Sequence, residues 1–186
     1  MIGVVMRELA DHILDLMRNS LEAGADEIEL EVVEDQLNDL LLISVRDNGR
    51  GFPAEVVARA TDAFYTTRTT RRFGLGLALL EATCEQAGGC VEVLSEPGCG
   101  ATVRAQMRLS HLDRPPLGEI GSAIQAMGCH AADIRLRYRH TARAGCYVLD
   151  TAALDWEPHC PLTTPSGLCR LAREVRDGLR QIGSNA

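Results

Sequence analysis

Lysine is absent from this sequence: all 19 basic residues are arginine. That excludes a lysine Schiff base and a lysine phosphate ligand, and it leaves every cationic role to guanidinium groups. Aromatic residues make up only 4% of 186, so a core has to be built from Leu, Val, Ile and Ala. A surplus of positive charge is missing as well. The formal net charge of -7 speaks against non-specific nucleic-acid binding, because such a chain repels phosphates. No apolar run reaches the ~18 residues of a membrane helix, and residues 1–9 lack the charged start and apolar run of a signal peptide. The expectation is a cytoplasmic protein with neither a membrane nor a nucleic-acid partner. C-x-x-C pairs are also absent. The seven cysteines are odd in number and irregularly spaced, as reduced thiols are. Cys129-His130 and His159-Cys160 could together supply four zinc ligands, but their spacing matches no zinc pattern, and scattered thiols are the preferred reading.

What is present is a chain of alternating helical and strand patterns. Residues 4–23 read as a helix with Val5, Leu9, Ile13, Leu16 and Met17 on one face. Its other face is a polar stripe of Glu8, His12, Asp15, Asn19 and Glu22, and Gly24 serves as a left-handed cap. Residues 27–34 alternate Ile28, Leu30 and Val32 with Glu27, Glu29 and Glu31, as a half-exposed strand does. A second strand spans 40–46, a short helix 53–63, a Thr/Arg-rich loop 64–76 and a helix 77–87. Strands 90–94 and 101–109 flank the turn SEPGCG. Pro115-Pro116 suggests a boundary between residues 1–112 and a smaller appendage, 113–186, of helix (117–127), strands (133–140 and 145–150) and helix (166–182). Leu168, Leu171, Val175, Leu179 and Ile182 share a face of that last helix. Arg135, Arg137 and Arg139 fall on one strand face, read as a solvated edge or, alternatively, as a docking surface for an acidic partner.

Four features occur in order: Asp15 and Asn19 on a helix face, Asp47-x-Gly49-x-Gly51 at a strand end, Gly74-Leu75-Gly76-Leu77 opening a helix, and Gly98-x-Gly100 in a hairpin. Each alone has an ordinary reading; Asp47-Asn48-Gly49, for instance, is a good turn. Their joint order changes that.

The sequence here resembles the ATP-binding module shared by histidine kinases, gyrase, MutL proteins and the large heat-shock chaperones, the GHKL superfamily. "LMRNSLEAGADEIELEV" (16–32) is similar to the asparagine helix of the MutL type, "DNGRGF" (47–52) to the Asp-x-Gly-x-Gly box, and residues 62–103 to the histidine-kinase version. The resemblance covers about residues 5–109. It implies a two-layer α/β sandwich of the Bergerat type, a mixed and mostly antiparallel sheet with helices on one face, and ATP with Mg²⁺ as cofactors. By the same resemblance Asp47 would accept from the adenine amine, and Gly49 and Gly51 would let the base lie against the backbone. Asn19 would offer its carbonyl oxygen to Mg²⁺, which prefers oxygen ligands. Gly74, Leu75, Gly76 and Leu77 would carry the phosphates at a helix N-terminus, and Phe64 would order the lid loop. Arg68, Arg71 or Arg72 would contact the γ-phosphate, or else form a solvated loop face. Asp15 stands where hydrolysing relatives have a catalytic Glu. Two departures are plain: Arg72 replaces a usual glycine, and Thr102 is shifted by one from the family's threonine, with Ala101 before it.

No dimerising helical hairpin and no long transducer domain accompany the module, so a stand-alone nucleotide-binding regulator is expected. It would act as a kinase or nucleotide switch on a protein partner, in the anti-sigma manner, or as a weak ATPase. The alternative is a non-catalytic ATP-binding subunit of a larger complex. Residues 137–151 resemble the tail of small ATP-binding proteins associated with iron-only hydrogenase subunits, and the appendage could mediate self-association as a homodimer.

Overall fold

The computed structural model of the protein describes residues 6–60, 76–128, 134–154 and 164–184. The elements run α1 (Leu9–Glu22), β1 (Glu27–Asp35), β2 (Leu40–Asp47), α2 (Ala54–Val57), α3 (Gly76–Gln86), β3 (Cys90–Ser95), β4 (Ala101–Arg108), α4 (Ile120–Gly128), β5 (Arg135–Ala142), β6 (Gly145–Asp150) and α5 (Pro165–Gln181). Among the described residues the six strands form one sheet, ordered β3-β4-β2-β1-β5-β6. Every neighbouring pair is antiparallel except β1 with β5, which is parallel and needs the crossover that α4 supplies. This is the mixed, mostly antiparallel α/β architecture expected.

Strand alternation sorts the sheet into two faces. Ile28, Leu30 and Val32 of β1 are at most 1% exposed. They form one core with Leu41, Ile43 and Val45 of β2, Leu136 and Tyr138 of β5, and Leu9, Ile13, Leu80, Ile124 and Leu171 of the helices. The opposite face carries the charges. Glu27, Glu29 and Glu31 pair in register with Arg135, Arg137 and Arg139. Arg137 reaches Glu29 at 2.6 Å, and Arg135 grips Asp150 through two bonds, at 2.6 and 3.0 Å. The reading of these arginines as a solvated edge is therefore corrected. β5 lies inside the sheet, and two of the three arginines are neutralised by their neighbours.

Two helices differ from expectation for physical reasons. α1 starts at Leu9, not at residue 4, because Glu8 is extended and the first helical N–H groups go elsewhere: Leu9 and Ala10 donate to the carbonyls of Pro116 and Leu117 at 3.0 and 2.9 Å. α2 is only four residues long and is followed by a turn. α5 is well signalled, with Pro165 in its first turn and the Thr164 hydroxyl accepting from the Gly167 N–H. Residues beyond Pro116 thus join the same sheet and core as the residues before it. Cys84, Cys90, Cys99, Cys146 and Cys169 are free thiols, and burial pushes the Cys84 thiol up to about 12.

Candidate nucleotide site

α1 presents Asp15 and Asn19, half-buried and one turn apart, and then Ser20, which is 3% exposed. Its end is set by Gly24, with a φ of 78°. β2 ends on Asp47, whose pairing with Ile28 and Ala101 places it on the helix-covered face. Three donors hold its carboxylate. The Ser20 hydroxyl donates to Oδ2 at 2.8 Å, and the N–H groups of Gly49 and Ala101 donate to Oδ1 at 2.9 and 3.3 Å. A carboxylate has about four lone-pair sites. Among the described residues, one of them has no donor.

The segment after Asp47 is braced by the β3–β4 turn. Gly98 donates to the Arg50 carbonyl at 2.8 Å, and Phe52 donates to the Ser95 hydroxyl at 2.9 Å. Gly51 has a φ of +62°, and a Cβ there would overlap the Glu96 carbonyl. Gly100 has a φ of +80°, and a Cβ there would overlap the carbonyl of Asp47. The room expected for a base is thus taken up, at Gly51, by protein backbone. Gly49 is buried, its missing Cβ 2.9 Å from that of Ala23. Asn48, unassigned from sequence, is structural: it accepts from the Asp26 and Glu27 N–H groups and donates to the Asp26 carboxylate, tying the start of β1 to the end of β2.

Gly76 begins α3 directly against Asp15, and Leu77 is half-buried behind it. Gly76 thus lies against Asp15, and Gly49 against Asp47 and the Ala23 end of α1, while Gly51 lies against the β3–β4 turn and Leu77 packs on the core. Thr102 does not join them. It pairs with Arg46 on the open face and lines a groove of about 600 Å³ with Glu29, Glu31, Ser44, Arg46 and Arg104. That groove carries charge of both signs and lies on the far side of the sheet from the Asp47 carboxylate. Ala101, one residue earlier, faces Asp47 instead. Phe64, Arg68, Arg71, Arg72, Gly74 and Leu75 lie outside the described residues.

Ser20 and Ala101 were missed from sequence. The signal for Ser20 was a polar residue on the apolar face of α1, in step with Ile13, Leu16 and Met17; Ala101 contributes only its backbone N–H, for which no side chain gives a cue.

The family model described as histidine kinase-, DNA gyrase B- and HSP90-like ATPase matches residues 4–111. The chain belongs to this ATPase family. Among curated proteins, its ATPase-family region is 30% identical over 102 residues to a putative sensor histidine kinase NtrY-like protein of Rickettsia conorii, a match covering 54% of the chain and 17% of that protein. It is 32% identical over 117 residues to the non-motile and phage-resistance protein of Caulobacter vibrioides, covering 58% and 14%. It is 35% identical over 104 residues to a probable C4-dicarboxylate sensor kinase of Halalkalibacterium halodurans, covering 54% and 20%. The chain thus spans a fifth or less of these relatives. A solved structure, the N-terminal domain of a DNA repair protein, superposes with a TM-score of 0.54 at 17% identity, covering 80% of this chain and 54% of that one. That likeness concerns the fold. Among the described residues, no helix of this ATPase-family protein is long and apolar enough to cross a membrane.

Proposed function

We propose that the chain binds ATP with Mg²⁺ and regulates a protein partner, as a kinase or as a nucleotide-controlled switch. The observation that carries this reading is Asp47, a carboxylate held in place by three protein donors with one acceptor site left, a fit for a single exocyclic amine. Asp47 selects adenine by accepting from that amine. The Asn19 carbonyl oxygen, one residue before the serine that orients Asp47, holds Mg²⁺, a hard ion suited to an oxygen donor. Bound Mg²⁺ supplies positive charge to the triphosphate. Gly76 and Leu77 offer the first N–H groups of α3 to the phosphates. Asp15 is positioned on the same face of α1 to take a proton from an attacking group.

Calorimetry with Mg·ATP tests the nucleotide reading. Asp47→Asn puts an amide donor where the amine needs an acceptor, so ATP affinity falls about ten- to a hundredfold while folding stability changes little. Undiminished affinity in that variant rejects the adenine assignment. The regulatory reading is tested by a pull-down from native extract with and without ATP, where identical partner sets in both states contradict a switch.

A further inference from the structure

Among the described residues the sheet has two outer strands, β3 and β6, and they are not finished alike. β3 has α2 packed against it and a charged residue, Glu92, within it. Charge on an outer strand discourages another strand from adding to it. β6 reads GCYVLD, with neither proline nor a basic residue, and the carboxylate of its one acid, Asp150, is held by Arg135. Val148 is 59% exposed, and Cys146 is exposed too.

The register shows which backbone groups β6 leaves over. Its partner β5 pairs Ala142 with Gly145 across a tight turn, and past the other end the Thr151 N–H donates to the Leu136 carbonyl at 3.0 Å. Antiparallel pairs alternate between bonded and non-bonded, so Tyr147 and Leu149 bond to β5. Cys146 and Val148 turn their N–H and C=O groups outward. Asp150 turns its N–H outward, while its carbonyl accepts from Ala153. This set is self-complementary. With two copies antiparallel, Val148 exchanges both its bonds with the second copy's Val148, and each Asp150 N–H donates to the other copy's Cys146 carbonyl. The two valines then cover each other on the open face. On the helix side, Gly178 of α5 lies against the Tyr147 ring, one residue from that axis. Asp177 and Arg180 beside it are exposed and of opposite sign, so an antiparallel second α5 brings acid to base.

We infer that β6 is a homodimer interface, at which two copies of this chain pair antiparallel about Val148 into one continuous sheet. It involves no residue of the nucleotide site. Sedimentation velocity on the full chain, in reducing buffer, is the test. Wild type should be a dimer at micromolar concentrations. Val148→Arg sets two guanidinium groups directly opposite each other and should raise the dimer dissociation constant about tenfold or more, with the circular dichroism of wild type because the position is exposed. Should Val148→Arg fail to fold, Val148→Glu is held to the same criterion. Val148→Cys reads the register. Bonded pairs hold their Cα atoms about 5.5 Å apart, within disulfide reach, so oxidised glutathione should give far more covalent dimer in this variant than in wild type. A wild type that stays monomeric overturns the inference and leaves β6 to a strand of another protein. A dimer that survives Val148→Arg unweakened, or no gain of covalent dimer in Val148→Cys, overturns it as well.

Discussion

Two carboxylates sit near opposite ends of the β1–β2 strand pair, and their surroundings differ in one respect. At one end, Asp47 is oriented by Ser20, Gly49 and Ala101, all within residues 20–101, and keeps an acceptor site. At the other, Glu34 accepts from the His140 Nε2–H at 2.8 Å, and His140 Nδ1 is hydrogen-bonded to the Tyr138 hydroxyl at 2.6 Å. Tyr138 and His140 are fully buried. Burial pushes the Tyr138 hydroxyl far up, so it keeps its proton. For Glu34, burial alone would push the carboxyl up, but donors from His140 and Ser184 and the charge of Arg114 draw it below the ordinary value. The difference separates a lock from a receptor. The Glu34 chain matches its donors to its acceptors and joins β1 to the C-terminal segment. Asp47 is equally well held yet retains capacity for an outside donor.

Removing residues 113–186 sharpens that contrast most, since it takes away every partner of Glu34 and none of Asp47. The fragment would also lose the caps on Leu9 and Ala10 and the strand covering β1. Fully burying one large apolar side chain is worth about 1.5–3 kcal/mol, and Ile120, Ile124, Leu136, Tyr138, Leu149 and Leu171 are all 2% exposed or less. Together they amount to about 9–18 kcal/mol, as large as the about 5–15 kcal/mol of a typical domain. The fragment is expected to be unfolded by circular dichroism; a folded fragment that still binds ATP would make residues 113–186 an appendage. Next in size is His140→Ala. It strands a buried hydroxyl and takes one of its donors from a half-buried carboxylate, at about 1–3 kcal/mol for each unsatisfied group, so urea unfolding should show a loss of about 3 kcal/mol. ATP affinity, measured where the variant is folded, should stay within about twofold of wild type.

Much of this arrangement was legible because local chemistry and fold agree. Ile28, Leu30 and Val32 alternate with three glutamates, and the strand follows. Gly24 caps α1 where the periodicity ends. Asp47 became readable once its place between the Asn19 helix and the Gly76 helix was considered. The rest depends on distant partners. Glu8 ends up outside α1 because carbonyls more than a hundred residues later take the first N–H groups. Arg135, Arg137 and Arg139 look like a free edge until β5 is known to lie parallel to β1. Ser20 matters because β2 delivers a carboxylate from 27 residues away. Thr102 shows how little separates the two faces: in a strand, a shift of one residue reverses the side.

A smaller effect should separate the two carboxylates by pH. Glu34 is depressed in the folded state, so it contributes stability that is present above its unfolded value, near 4.5, and is lost as pH falls through the folded value. Asp35, Asp39 and Asp150 shift in the same direction, so the useful quantity is the difference between wild type and Glu34→Gln. Urea midpoints should show that difference shrinking below about pH 4.5, and a gap independent of pH would contradict the ionised Glu34 lock. The smallest effect belongs to Thr102→Ala. Thr102 is half-exposed on the open face, aligned with Arg46, while the Ala101 N–H serves Asp47. Stability should change by less than about 0.5 kcal/mol, and ATP affinity should not change. Loss of ATP binding in Thr102→Ala would mean that the end of β4 sits one residue out of register in the nucleotide-bound state, which would also move Ala101 away from Asp47.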